Sequence, residues 1–229
     1  MTLVMIRQPG YLSYIGFFKK IQTSDIFVYL DDVQYSVRDG DNRNKIRTQN
    51  GSIVLTVPLT KPFGKMINEV EIANSIDWRS KHKNAIKENY KKAPYFEKYW
   101  DNLETILSKK WEKLIELNLE LIQYFNVALD LKTITIRSSE LKIKSTKSQR
   151  LLDICKKLNA TTYVSGELGK NYLDKKKFED IGIKVLFEKF QHPTYKQIHG
   201  DFIPYMSIID LLFNEGDNAK YILKNSKNL

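Results

Sequence analysis

The sequence predicts an α/β fold, a Rossmann-like, mostly parallel sheet flanked by helices, with a β-hairpin and a helical insertion. Three observations predict it. Roughly the first thirty residues read strand, helix, strand, the unit from which parallel sheets are built. A middle stretch then shows helical periodicity and little strand signal. After it, strand and helix patterns alternate again toward the C-terminus.

TLVMIRQ is short, apolar and β-branched, which suits a buried strand, and Pro9 and Gly10 end it. In IGFFKKIQTS, Ile15, Phe17, Phe18 and Ile21 recur at helical spacing. IFVYL reads as a second buried strand. NKIRTQNGSIVLTVPL holds two strand-like runs around Asn50-Gly51, a strong hairpin signal. Pro58, Pro62 and Gly64 mark a loop, and INEVEI alternates like a short strand. Asp77 offers an N-cap to WRSKHKNAIKENYKKA. Leu103, Ile106, Leu107, Leu114, Leu117, Leu121 and Phe125 then fall on one face of a single longer helix. Residues 77–127 are thus expected to form a helical insertion or subdomain within one domain spanning 1–229. KTITIR, TTYVSG and IKVLFEKF read as strands and TKSQRLLDICKKLN as a helix. IPYMSIIDLLFNEG reads as a last helix ending at Gly216, leaving KYILKNSKNL as a polar tail expected to fray.

Composition bounds the class. The chain has 229 residues and 42% apolar residues, with 13 Tyr, 11 Phe and 3 Trp, enough rings for a substantial core. The net charge of +10 attracts phosphates, whether of nucleic acid, a nucleotide sugar, a carrier arm or a membrane face. The plainer reading is that lysine-rich amphipathic helices solvate the protein. No arginine block, zinc-finger spacing or RNP-type aromatic signature points to nucleic acid. One cysteine allows no intrachain disulfide, and Cys155 lies on the apolar face of LLDICKKL, so a buried thiol is expected rather than a nucleophile. The N-terminus shows no signal peptide and no apolar run reaches ~18 residues, so a cytoplasmic protein without a transmembrane segment is expected.

Open α/β sheets place ligands at the carboxyl ends of their strands. The residues there are Gln8 to Tyr11, Asp31 to Tyr35, Ser138 to Glu140, Ser165 to Lys170, and Gln191, His192 and Tyr195. Each set alone reads equally as an ordinary turn. Together they supply donors and acceptors for one crevice. The first unit, ending in Asp31-Asp32, also resembles nucleotidyltransferase Rossmann folds, and KSTKS (144–148) resembles their lysine loop. The histidine element of those enzymes is missing between Gln8 and Gly16.

Three histidines, His82, His192 and His199, and one cysteine give no metal-ligand spacing, and no metal site is expected. Asp31-Asp32 reads either as a solvated strand-end pair or as a hard-cation site on a phosphate substrate. His82 follows Trp78 by one turn and shares its face. Ser207 and Asp210 share a face of the last helix. No G-x-S-x-G elbow, P-loop or G-x-G-x-x-G fingerprint occurs, which argues against common hydrolases, P-loop enzymes and dinucleotide oxidoreductases.

An ordered set of stretches resembles the WbqC-like family of bacterial surface-polysaccharide biosynthesis clusters. They are QPGYLSYIGFFKKI, FVYLDDVQY, NRNKI and VPL, then DWRSKH, NYKKAPYF, SSEL and RLLDICKKLNATTYVSG, and finally GKNYLD, HPTYKQ and SIIDLLFNEG. They run from about residue 6 to 216, nearly the whole chain. One departure is the Gly10-Tyr11-Leu12-Ser13 turn, where a second proline is expected near Ser13.

The resemblance implies work on O-antigens, capsules and related glycans. It implies a transferase or ligase that forms an amide on the amino group of a nucleotide-linked amino-deoxysugar. The acyl or aminoacyl donor is left open between a thioester-linked acyl carrier protein and a group activated by ATP with Mg²⁺. The alternative is a non-catalytic nucleotide- or carrier-binding module of a glycan-synthesis complex. Amide formation needs a proton acceptor for the sugar ammonium, donors for the tetrahedral oxyanion, and cations or N–H groups for phosphates. On strand-end placement and motif membership, His192 is the expected base, with Asp32 the alternative. Arg43 and Lys170 are expected to hold anions. Gln8, Gln34, Tyr172, Tyr195 and Gln197 would orient the substrate, and Tyr11, Ser165 and Gly166 complete the expected binding set.

Overall fold

The computed structural model describes residues 1–37 and 40–228. β1 (Leu3–Arg7), α1 (Ile15–Thr23) and β2 (Ile26–Tyr29) form the expected opening unit. β3 (Arg43–Thr48) and β4 (Gly51–Thr56) form the antiparallel hairpin. Thr48 pairs with Gly51, so its two-residue turn is Gln49-Asn50, one position before the Asn-Gly pair. Gly51 instead opens β4 at φ 129°, a value open mainly to glycine. β5 (Leu59–Thr60) pairs antiparallel with β6 (Glu71–Ile72).

INEVEI is therefore only partly a strand: Ile67–Glu69 form a 3₁₀ turn before β6. Next come α2 (Trp78–Tyr90), α3 (Phe96–Ser108) and α4 (Leu114–Ala128). The predicted longer helix is two helices. The backbone at 112–114 leaves helical geometry to pair with the chain around β6, through Ile72 N–H to Glu112 O (2.9 Å) and Leu114 N–H to Val70 O (3.0 Å). The second half alternates as expected: β7 (Ile134–Arg137), α5 (Lys147–Lys157), β8 (Thr162–Ser165), α6 (Lys175–Glu179), β9 (Lys184–Phe187) and α7 (Ile208–Glu215).

The tail does not fray. It forms α8 (Asn218–Asn225), with Ala219 and Leu223 buried. Lys19 Nζ donates to Leu223 O (3.0 Å) and Lys224 O (2.9 Å) at the helix end, where Leu223 O also accepts from Ser226 N–H and Oγ.

The main sheet has five strands in the order β7-β2-β1-β8-β9, and every pairing is parallel. Both faces are covered, as a parallel sheet requires. Alternation along each strand sorts side chains between the faces. Met5, Phe27 and Val164 join the larger cluster with α1 to α4, α7 and α8. Val4, Val28, Tyr163 and Val185 join the smaller one, where Leu151, Leu152 and Ile154 of α5 and Phe178 of α6 cover them. Helices α2 to α4 contribute to the same cluster as the sheet face beneath them.

The chain builds outward from β1 through β2 to β7, then returns to the other side of β1 with β8. The topological switch point thus lies between β1 and β8, where a crevice opens in such sheets. No helix among the described residues is long and apolar enough to cross a membrane.

Candidate functional site

A cavity of about 690 Å³ opens at the carboxyl ends of β1 and β8, at the switch point. Gln8, Tyr163, Ser165, Gly166 and Glu188 line it from the strand ends, and Tyr14, Phe17 and Lys20 from α1 and its approach. Lys147 and Arg150 of α5 close another side. A second cavity of about 380 Å³ lies toward the hairpin, bordered by Gly10, Tyr11, Asp41, Arg43, Asn44 and Lys45. The two share Arg7, Gln8, Tyr14, Phe17 and Tyr205.

The turn between β1 and α1 shapes both cavities and is tightly held. Asn118 of α4 is fully buried, and its Nδ2 donates to Pro9 O (3.0 Å) and Asp41 O (2.9 Å). Tyr11 N–H donates to the same Asp41 carbonyl, and Asn44 Nδ2 to Leu12 O (2.7 Å). Leu12 sits at φ 44°, a left-handed conformation that costs a leucine energy and persists because these bonds impose it.

The larger cavity is cationic. Arg7, Lys20, Lys147 and Arg150 line it, against Glu167 and Glu188. The Arg7 side chain makes no hydrogen bond or ion pair among the described residues. Lys20 and Glu188 are both buried and form a direct ion pair. Burial, and then the Arg7 guanidinium, push the Lys20 ammonium below the ordinary lysine range.

Of the residues expected from the sequence, Gln8, Gln34, Ser165, Gly166 and Tyr172 line the larger cavity. Arg43 and Tyr11 border the smaller one, although the Tyr11 ring is wholly buried and its hydroxyl is bonded to His82 Nδ1 at 2.8 Å. Lys170 lies outside both linings, paired with exposed Glu167 at 3.2 Å. Tyr195 and Gln197 are buried away from the cavities. Tyr195 Oη and Gln197 Nε2 donate to the Asp210 carboxylate at 2.8 and 2.7 Å, and Tyr90 Oη donates to its other oxygen at 2.9 Å. That carboxylate is fully buried, and burial raises its pKa against the three bonds. Ser207 caps α7 through Ile209 N–H.

His192 stands one layer behind the larger cavity, among Phe190, Tyr195, Phe202 and Tyr205. Its Nδ1 faces Pro193 O at 2.8 Å, so Nδ1 carries the proton. Nε2 keeps its lone pair, buried and without a partner among the described residues. Burial holds this imidazole below its ordinary pKa. Asp32 pairs with Arg150 and accepts from Ser138 Oγ.

Asp31 accepts from Arg137 Nε (2.7 Å), Ser139 N–H (2.9 Å) and Ser139 Oγ (2.8 Å). Burial opposes its ionisation, but these bonds outweigh that and hold it below the usual range. Both carboxylates are thus committed to protein donors and do not form an open Mg²⁺ site.

Sequence reasoning passed over Arg7, Lys20 and Glu188. Arg7 is the last residue of β1, and strand pattern alone does not mark it as a site residue. Lys20 lies among the apolar residues of α1, where helical spacing alone gives no sign that a lysine is buried. IKVLFEKF read as strand through Phe190, whereas β9 ends at Phe187 and leaves Glu188 at the carboxyl edge. Ending that strand at the change from apolar to charged residues would have exposed it.

The model of the WbqC-like protein family matches residues 8–222. The chain is also similar to a Mycobacterium tuberculosis protein described as "Uncharacterized protein Rv1507c", at 35% identity over 228 residues and 98% of each chain.

Proposed function

Because the chain belongs to the WbqC-like protein family, we propose that it forms an amide on the amino group of a nucleotide-linked amino-deoxysugar destined for a surface polysaccharide. The observation that carries this reading is the cationic cavity at the switch point. Parallel α/β sheets bind nucleotides there, and Arg7 and Lys147 supply charge for a diphosphate. Gln8, Ser165 and the Gly166 backbone offer hydrogen bonds to the sugar.

In this reading a base takes the ammonium proton, and the freed amine attacks the carbonyl of an acyl thioester. The C–N bond forms, the C–S bond breaks, and the thiol leaves carrying a proton. Of the two expected bases, His192 is the better, because Nε2 has a free lone pair while Asp32 is committed to Arg150 and Ser138. His192 itself does not line the cavity; it packs against Phe190 and Tyr205, which do. His192→Gln is expected to lower turnover at least about a hundredfold, and near-normal turnover removes it from the role.

The test is incubation with dTDP- and UDP-linked amino sugars and acyl or aminoacyl donors, both thioesters and acids with ATP and Mg²⁺. Mass spectrometry then reads the mass gain of the sugar. Failure of every nucleotide sugar to raise the melting temperature sinks the reading. Binding without product favours a carrier-binding module, a reading supported by exposed Leu168 and Tyr172 at the cavity mouth.

A further inference from the structure

The larger cavity contains one feature that phosphate binding does not use. Of its two acidic lining residues, Glu167 is solvent-exposed and paired with Lys170. Glu188 is buried, with a side chain only 8% exposed. Its backbone N–H bonds Ser165 O (2.9 Å), which fixes it beside the end of β8 and next to the switch point. A carboxylate taken out of water is costly unless a cation meets it, and here the cation is the Lys20 ammonium. Lys20 is itself buried and lies within the field of Arg7, so it is a poorly favoured cation in this place. A second ammonium brought by a ligand would meet a desolvated carboxylate that lines the cavity, and it would take the place of Lys20 as that side chain gives up its proton.

We infer that Glu188 is the carboxylate that receives the amino group of the substrate, with Lys20 as the internal counterion that yields to it. This rests on the nucleotide-sugar reading and deepens it. The cations Arg7 and Lys147 suit the phosphates, and the single buried carboxylate of the lining suits the amine. A ligand carrying both charges matches the cavity better than a neutral sugar nucleotide does. A hydroxyl in place of the ammonium brings no charge to replace Lys20, so the Lys20–Glu188 pair stays closed and the ligand gains nothing from Glu188. The competing account is that the pair only ties α1 to the end of β9. Such a tie would not distinguish an amine from a hydroxyl.

The full-length protein is titrated calorimetrically with matched ligands differing only in that group. The pairs are UDP-glucosamine with UDP-glucose, and dTDP-4-amino-4,6-dideoxyglucose with dTDP-6-deoxyglucose. The amine member of at least one pair is expected to bind about tenfold or more tightly. In Glu188→Gln the gap is expected to shrink to within about twofold, the hydroxyl sugar keeping its affinity. In Lys20→Met, which leaves Glu188 without its counterion, the amine ligand is expected to raise the melting temperature more than in the wild type. An undiminished gap in folded Glu188→Gln overturns the inference. So does an unchanged thermal shift in Lys20→Met, which decides the matter if Glu188→Gln does not fold. Equal binding of both members by the wild type overturns the inference alone and leaves the nucleotide-sugar reading standing. Binding of neither member overturns both.

Discussion

His82 offers a quantitative test of how the helices are held on the hairpin. It lies on α2, 5% exposed, with its ring against Trp78 and Tyr11. The Tyr11 hydroxyl bonds Nδ1 at 2.8 Å, and burial raises the phenol's pKa, so it stays protonated and donates. Nδ1 is therefore an acceptor and the ring is neutral. Burial lowers the imidazole pKa to about 4, against the partial opposition of a bond to the Thr56 backbone.

The unfolded chain binds this proton near about pH 6.5 and the folded chain only near about pH 4. Stability from this group is therefore complete above about pH 6.5 and falls as the pH drops through that window. The loss works out to about 2 kcal/mol at about pH 5 and about 3 kcal/mol at about pH 4. His82→Gln keeps an acceptor for Tyr11 and removes the titration. Urea unfolding of both proteins across this pH range measures the difference. The wild-type advantage should shrink by about 2 kcal/mol between about pH 7 and about pH 5. Parallel pH profiles for the two proteins would refute the assignment of a buried neutral His82.

Three further predictions follow from packing. Asp210→Asn removes the charge that accepts from Tyr90, Tyr195 and Gln197, and should cost about 2–4 kcal/mol in urea unfolding; a loss below about 0.5 kcal/mol contradicts the network. Gly169→Ala places a methyl on the Ser165 hydroxyl at the floor of the larger cavity, and should destabilise the protein by about 1–3 kcal/mol and weaken nucleotide binding, both read by differential scanning fluorimetry. Cys155 is fully buried, with its thiol pushed up to about 12, so alkylation in native buffer should be negligible and become complete in denaturant; rapid native labelling would show that α5 opens.

Much of the molecule was legible in the residues alone, because strands and helices are written in local periods. TLVMIRQ, IFVYL, KTITIR and TTYVSG alternate or run apolar over strand lengths, and all became strands of one parallel sheet. Strand-end position alone pointed to Gln8, Gln34, Ser165 and Gly166, which line one cavity. What the tertiary structure decided was long-range. The order β7-β2-β1-β8-β9 follows from which strand ends pair across the chain, and that order creates the crevice between β1 and β8. The break near residue 112 arose because β6 claims backbone groups that helical spacing would have kept. Lys20 and Glu188 stand 168 residues apart in sequence, and each reads there as a surface charge. Only packing removes them from water together, and desolvation, which no local pattern records, turns two ordinary charges into the most distinctive chemistry of the cavity.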